Sequence, residues 1–323
     1  MPDLFTHPQV RDLAWVACSG SLLESGILPM RDPLAGSVWR RDPQSLLYRL
    51  KQLDADPVPL QQLIPASRDL RLGNYYERLW HALLSLAPDV TILARNIALR
   101  ERGRTLGELD LLIEDADGAI IHLELAVKFY LGLPEALTAP ATEQTSAIGF
   151  SAHSAWLGPD PRDSLHDKVS RLRDHQLRLT DQFHLADTPL PQPDLSGACM
   201  QGVLFAPHDR PMPPAVDSRP GAPAHQWCRQ SALASMRGKQ WLLMPHKQWL
   251  MPPLAEHGLI RTGDQIKEML DTQQLDPTRA WMLVRCDTVA DYRAMSAERL
   301  ICMPETWPNA KESVDRRAVL RLG

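Results

Sequence analysis

The chain has 323 residues, 44% of them hydrophobic, and a formal net charge of −4. That is enough to build a real core in one large domain or two ordinary ones, and the mild acidity excludes a surface that attracts nucleic acid everywhere, so any phosphate contact must come from a local basic patch. No apolar run reaches the roughly 18 residues of a membrane span, and MPDLFTHPQV lacks the basic-then-apolar order of a secretory signal, so a cytoplasmic protein without a membrane partner is expected. The five cysteines, Cys18, Cys199, Cys228, Cys286 and Cys302, show neither a C-x-x-C pair nor a His at zinc spacing and are expected as reduced, buried thiols.

Val10, Leu13, Ala14 and Ala17 recur at helical spacing, as do Leu46, Leu47, Leu50 and Leu53, which predicts two packing helices in an N-terminal extension over residues 1–70. Pro57, Pro59 and Pro65 are expected to interrupt the chain between Asp56 and Pro65. From Leu72 to Leu86 the register of Leu72, Tyr76, Leu79 and Leu83, widened by Tyr75, Trp80 and Leu84, predicts an amphipathic helix with Glu77 at the border of its buried face. On spacing alone such a border Glu is a solvated residue. Val90 to Arg100 reads as a strand leading through Glu101-Arg102-Gly103-Arg104 into the next segment.

Thr105 to Leu131 carries the chemistry. Asp117-Gly118 between two runs of Leu, Ile and Val is a hairpin signal, because Gly takes the positive φ that such a turn needs. With Ala116, Asp117 and Gly118 as the loop, Asp110 stands opposite Glu124; a two-residue loop slips this by one. Period-two alternation then places Leu109, Leu111, Ile113, Ile121, Leu123, Leu125, Val127 and Phe129 on an apolar face. The other face carries Glu108, Asp110, His122, Glu124, Ala126 and Lys128. Two carboxylates opposed across a ladder repel, and a divalent cation between them reverses that sign. Mg2+ takes one or two carboxylates plus waters and phosphate oxygens. The plainer reading is the solvated face of an antiparallel sheet.

Gly107-Glu108-Leu109-Asp110 followed by Glu124-Leu125-Ala126-Val127-Lys128 resembles the core of the PD-(D/E)XK nuclease-like superfamily. An acidic strand residue is followed there by a turn and by Glu and Lys on the next strand. Ala126 stands where that superfamily usually has its Lys, with Lys128 one step further along the same face. The whole chain is also similar to an uncharacterised bacterial family, a domain of unknown function grouped with this superfamily. The resemblance implies an α/β fold with a restriction-endonuclease-like core in the order α-β-β-β-α-β over residues 71–206 and a mixed central sheet. It also implies a Mg2+-dependent (or Mn2+-dependent) nuclease acting on DNA, with RNA the second candidate. Asp110 and Glu124 would hold the metal, Glu77 on the preceding helix would join them directly or through water, and Lys128 would orient the attacking water. A catalytically decayed binding module for nucleic acid or protein, with Ala126 as its mark, is the alternative.

After Leu131 a stretch to Gly158 rich in Ala, Thr, Ser and Pro is expected to border the site as a lid. Ser164 to Leu179 is predicted as one helix with Leu165, Val169, Leu172 and Leu179 on its stripe. Gln176 interrupts that stripe, and its amide must bond either a neighbouring backbone group or the hairpin site. Lys168, Arg171, Arg173, His175 and Arg178 make this helix basic. Lys168, Arg171, His175 and Gln176 are its candidate substrate contacts. Cys199 to Ala206 reads as the closing strand, and residues 207–225, punctuated by prolines, as an exposed connection. The segment 226–323 is read as α/β, with strands at Gln240 to Met244 and Trp281 to Cys286 around a helix from Asp264 to Gln274. It either extends the sheet or forms a small subdomain. Trp227, Trp241, Trp249 and Trp281 are core residues on the plain reading and base-stacking platforms, with Lys239 and Lys247 on phosphates, on the other.

Overall fold

The computed structural model describes residues 1–67, 71–101, 104–134, 153–182, 190–219, 225–236, 238–245, 248–254, 259–287 and 297–308. The N-terminal helices are α1 (Pro8–Cys18), α2 (Val38–Arg41), α3 (Pro43–Ala55) and α4 (Val58–Leu63). The last of these lies inside the stretch where the prolines were expected to prevent a helix. Pro59 sits in its first turn, where the missing N–H has no intrahelical partner to lose. Helix α5 (Leu72–Leu86) has the predicted bounds and buries Tyr76, Leu79, Trp80, Leu83 and Leu84.

Strands β1 (Thr91–Glu101), β2 (Arg104–Glu114) and β3 (Ile120–Gly132) follow as an antiparallel meander. Arg102 and Gly103 of the Arg-rich turn lie outside the described residues. At the β2–β3 turn Gly118 has φ +82°, and the Asp115 carboxylate accepts from the N–H groups of Asp117 and Ala119, both at 3.0 Å. Register is thereby fixed with Leu112 opposite His122 and Leu111 opposite Leu123, the pairing expected for the three-residue loop.

A short strand β4 (Trp156–Leu157) pairs with the end of β3, and most of the expected lid, residues 135–152, lies outside the described residues. The helix predicted over Ser164 to Leu179 is broken. Helix α6 (Leu165–Asp174) stops at His175, whose φ −131°, ψ −68° is not helical; a 3-10 turn over Gln176–Arg178 and the short α7 (Leu179–Gln182) continue. Strand β5 (Leu195–Pro207) then runs parallel to β3 from Ile121↔Leu195 to Leu131↔Phe205.

The C-terminal segment extends this sheet and is not a separate subdomain. Strands β6 (His225–Arg229), β7 (Gln240–Leu243), β8 (Leu259–Thr262), β9 (Trp281–Arg285) and β10 (Arg299–Met303) complete a ten-stranded mixed sheet of order β1-β2-β3-β5-β6-β10-β9-β7-β8, with β4 beside β3. Helix α8 (Gly263–Asp271) opens on a capping box, the Thr262 hydroxyl accepting from the Gln265 N–H while the Gln265 side chain accepts from the Thr262 N–H, so two orphan donors are satisfied reciprocally. The described part of the proline-rich connection is not wholly exposed: Ala215 is buried and Ser218 bridges to Leu23.

One face of the first half of the sheet packs Leu111, Ile113, Ile121, Leu123 and Leu125 against α1, α3 and α5. The other face packs Ala126, Tyr130, Ala198 and Met200 against Leu165, Val169 and Leu172 of α6. Leu109, expected with the first set, clusters instead with Leu99, Leu112 and Leu179. Trp227, Trp241 and Trp249 are buried, and the Trp227 indole donates to the Gly132 carbonyl at 2.9 Å. These three are core residues and offer no platform for bases; Lys247 lies outside the described residues.

Helix α1 and strand β10 are both joined to the segment 248–254 by buried polar groups. The Arg11 guanidinium donates to the carbonyls of Phe5 at 3.1 Å and Pro252 at 3.2 Å, and the Asp12 carboxylate accepts from the Met251 N–H at 3.1 Å and the Tyr75 hydroxyl at 2.9 Å. Arg299 on β10 donates to the carbonyls of Trp249 and Leu250. Burial raises Asp12 to about 6 and lowers Arg299 to about 10.

Gly202, opposite Lys128 on β3, has φ +144°, and a Cβ there would collide with the Lys128 carbonyl oxygen. Only glycine fits, since both the dihedral and the close approach exclude a side chain. Gly202→Ala is expected to cost about 3 kcal/mol or more, measured as a fall in the urea midpoint with an unchanged slope.

Candidate functional site

The site is built where β2 and β3 part. Their ladder ends at Leu111↔Leu123, while the pairing of β3 with β5 on its other edge, begun at Ile121, continues to Leu131. The next residue on β2 is Asp110 and the next on β3 is Glu124. The backbone N–H of Leu125, which no β2 carbonyl reaches, is taken by Asp110 Oδ2 at 2.9 Å. A carboxylate side chain thus closes the gap between diverging strands, and a buried backbone donor is kept satisfied.

Glu124 is 1% exposed. Its Oε1 lies 3.0 Å from His122 Nε2, and its Oε2 accepts from the Gln176 amide. His122 is fully buried, with Nδ1 at 3.1 Å from Ser196 Oγ, which in turn lies 3.0 Å from Thr180 Oγ1. With Nε2 donating to the carboxylate, Nδ1 accepts from Ser196. The imidazole therefore fixes the orientation of Glu124 rather than reaching into the gap.

Gln176 follows the second course open to it from the sequence. Its Nε2 faces Glu124 and its Oε1 accepts from Lys168 Nζ at 3.1 Å. The break at His175 makes this possible, because a continued helix would have aimed position 176 along the apolar stripe of Leu165, Val169 and Leu172. Arg171 and His175, the other expected substrate contacts, are exposed at the surface of the same segment. His175 lies over Gly107, where Leu179 also approaches so closely that a Cβ would meet its Cδ1 at 2.7 Å.

Lys128 does not point into the gap. Its ammonium is paired with Asp163 Oδ2 at 2.6 Å, and the Tyr130 hydroxyl donates to the other oxygen of Asp163 at 3.2 Å. Asp163 was not singled out in the sequence. It precedes the Ser164 cap of α6 and looked like an ordinary loop residue, and no spacing rule ties it to Lys128, 35 residues earlier.

The electrostatics mark the gap as strained. Asp110 is raised from 3.8 to about 7, first by burial and then by Glu124, against the lowering effect of the Leu125 N–H. Glu77 on α5 is raised by burial and then by Glu108 and Glu124. It therefore shares the field of the hairpin carboxylates, as the border position allowed. Lys168 is lowered by burial, against the pull of Glu124 and Asp110.

A family model described as a domain of unknown function, DUF1853, matches residues 11–302, from within α1 to β10. The chain belongs to the DUF1853 family. No curated protein and no solved structure matches it. The DUF1853 match includes the α5 glutamate, the parted strands and the α6 segment, so the carboxylate gap lies wholly within the family's own boundaries.

Among the described residues of this DUF1853 chain no group of three or more His, Cys, Asp or Glu side chains is arranged to hold a metal ion. Two carboxylates at the gap do suit one class of ion. Mg2+ and Mn2+ are hard cations that take one or two carboxylates and complete their shell with water and phosphate oxygens. Asp110 has an oxygen not bonded to Leu125, and its raised affinity for protons signals a site short of positive charge.

The sign of the Asp110 shift yields a prediction. Because the folded carboxyl holds its proton more tightly than the unfolded one, the metal-free protein loses stability as pH rises from about 4 to about 7. Asp110→Asn removes the ionisation, so it is expected to raise the melting temperature by a few degrees at pH 8 and by less at pH 5. Differential scanning fluorimetry with EDTA across that range measures it, and an equal change at both pH values refutes the assignment.

Proposed function

We propose that this DUF1853 protein is a Mg2+-dependent nuclease that hydrolyses phosphodiester bonds of DNA at the gap between β2 and β3. The observation that carries the reading is the convergence of Asp110 and Glu124 where their strands part, with Asp110 raised to about 7 by burial and by its neighbour. Such a pair is unfavourable by itself and becomes favourable with a divalent cation.

The element order supports the same reading. Helix α5, strands β1, β2 and β3, helix α6 and strand β5 follow one another, with β5 parallel to β3. This is the α-β-β-β-α-β order of the restriction-endonuclease-like core that the PD-(D/E)XK resemblance implies.

In the reaction one water is consumed. Its oxygen bonds to phosphorus and gives up a proton to solvent, the P–O bond to the departing nucleotide breaks, and the departing oxygen takes a proton from solvent. Asp110 and Glu124 would hold the Mg2+ ion, which supplies Lewis-acid activation of water and phosphate. The remaining residues act by position. His122 and Gln176 hold the two oxygens of Glu124, the Leu125 N–H holds Asp110, and Glu77 adds negative charge from α5. Lys128, committed to Asp163, is left out of the hydrolytic step. For Glu124 Oε2 to reach a cation, the Gln176 amide nitrogen must give it up.

Purified protein is assayed with Mg2+ or Mn2+ on single-stranded DNA, double-stranded DNA and RNA. Asp110→Ala and Glu124→Ala are each expected to lower cleavage by at least about 100-fold. Lys128→Ala is expected to retain cleavage within about 3-fold, since its partner is structural. Absence of cleavage by the natural chain together with no Mn2+-dependent change in melting refutes the nuclease reading and leaves a binding module.

A further inference from the structure

Resting on the nuclease reading, we infer that Lys168 of α6 is the catalytic cation of this site, its ammonium meeting the non-bridging oxygens of the scissile phosphate, with Gln176 as the residue that positions it. Four observations converge on this residue.

The first is the distribution of charge. Lys168 acts electrostatically on Glu77 and Asp110 and is itself acted on by Glu124, while Lys128, which also acts on Lys168, is paired with Asp163 at 2.6 Å. Among the described residues Lys128 thus has a carboxylate partner of its own, and Lys168 faces the gap carboxylates through Gln176.

The second is what holds the ammonium. Among the described residues Lys168 forms no ion pair with a carboxylate; its ammonium donates to the Gln176 carbonyl oxygen at 3.1 Å, and the amide nitrogen of that same side chain donates to Glu124. A lysine serving only to neutralise Glu124 would close directly on it, because a direct charged contact is the stronger bond. Here an amide intervenes and keeps the ammonium apart from the acid it faces, which leaves its remaining donors for another anion.

The third is the space above β3. Ala126 is 8% exposed and packs in one cluster with Leu165, Val169 and Leu172 of α6. Its single methyl lets the helix lie close to the strand. Lys168 stands one residue before Val169 and four before Leu172, at the margin of that contact, and so approaches the gap from the helix rather than from the strand.

The fourth is burial. Taking an ammonium toward the interior carries a desolvation cost, and the group that Lys168 directly contacts is the neutral Gln176 amide at 3.1 Å. A bound phosphate would bring anionic oxygens into direct contact with the ammonium.

The test uses the full chain and compares Lys168→Met, Lys168→Arg, the double variant Lys168→Ala with Ala126→Lys, and Asp110→Ala as the reference. Three quantities are read: DNA cleavage with Mn2+, Mn2+ affinity from the loss of the free-ion electron paramagnetic resonance signal without DNA, and melting temperature. For Lys168→Met the expected result is a fall in kcat of about 100-fold or more, with Mn2+ affinity unchanged or tighter because a neighbouring positive charge is gone. Lys168→Arg is expected to keep part of the activity, and the double variant to recover at least about 10-fold over Lys168→Met by returning an ammonium from β3.

Cleavage by Lys168→Met within about 3-fold of the natural chain overturns the assignment and leaves the nuclease reading standing. So does a loss of cleavage matched by a loss of Mn2+ binding and a lower melting temperature in both Lys168→Met and Lys168→Arg, which is the signature of a structural residue. If the natural chain neither binds Mn2+ nor cleaves, and Asp110→Ala changes neither quantity, the nuclease reading falls and the Lys168 assignment with it.

Discussion

The bond from the Leu125 N–H to Asp110 Oδ2 is the constraint on which the rest of the site depends. Strand β3 pairs with β5 from Ile121 to Leu131 but with β2 only as far as Leu123, so beyond Leu123 it keeps one neighbour and loses the other. That parting strands a backbone donor in the interior. A short side chain ending in oxygen is the simplest remedy, and on β2 the residue at the point of divergence is an aspartate. The same act that repairs the sheet therefore places a carboxylate beside Glu124. Structure and chemistry are not separable at this position.

Much of this was legible in the sequence, for a physical reason in each case. The Asp117-Gly118 turn, with Gly118 at positive φ, fixes the pairing sum, and the sum alone brings Asp110 and Glu124 to adjoining places. The α5 stripe is so regular that its bounds follow from Leu72 and Leu86 directly. What the sequence concealed was where strands part and where helices break. Nothing in Leu109 shows that it leaves the company of Leu111, and nothing in His175 shows that its dihedrals interrupt a helix. Both are settled by tertiary contacts, Leu109 by the cluster with Leu99 and Leu179 and His175 by the pull of Gln176 toward Glu124. Lys128 was misplaced for the same reason: periodicity gives the face of a strand, but the partner on that face, Asp163, arrives from a distant loop.

The C-terminal third was the least legible. Strands β6, β8 and β10 are four or five residues each, too short for periodicity to declare them. They are set by pairing with strands from elsewhere in the chain, as Cys302 with Cys228 and Trp281 shows. The tryptophans follow the same logic. Trp227 and Trp249 fill one cluster with Met282, Val284 and Ile301, and Trp241 fills another with Ile266 and Leu270 of α8, which explains why they are buried rather than offered to a ligand.

The segment 248–254 is where Arg11, Asp12 and Arg299 converge, and the convergence has a consequence for cooperativity. Helix α1 carries two charged side chains that have nearer partners in the Phe5 carbonyl and the Tyr75 hydroxyl and further ones at positions 251 and 252, some 240 residues away in sequence. Docked without that segment, α1 would bury charges that are answered only in part. Contacts of such separation carry a large loop-closure cost, which the rest of the fold must offset. The clamp therefore couples the N-terminal helices to the C-terminal strands, so that the two halves of the sheet, and the carboxylate gap in the first of them, stand or fall together.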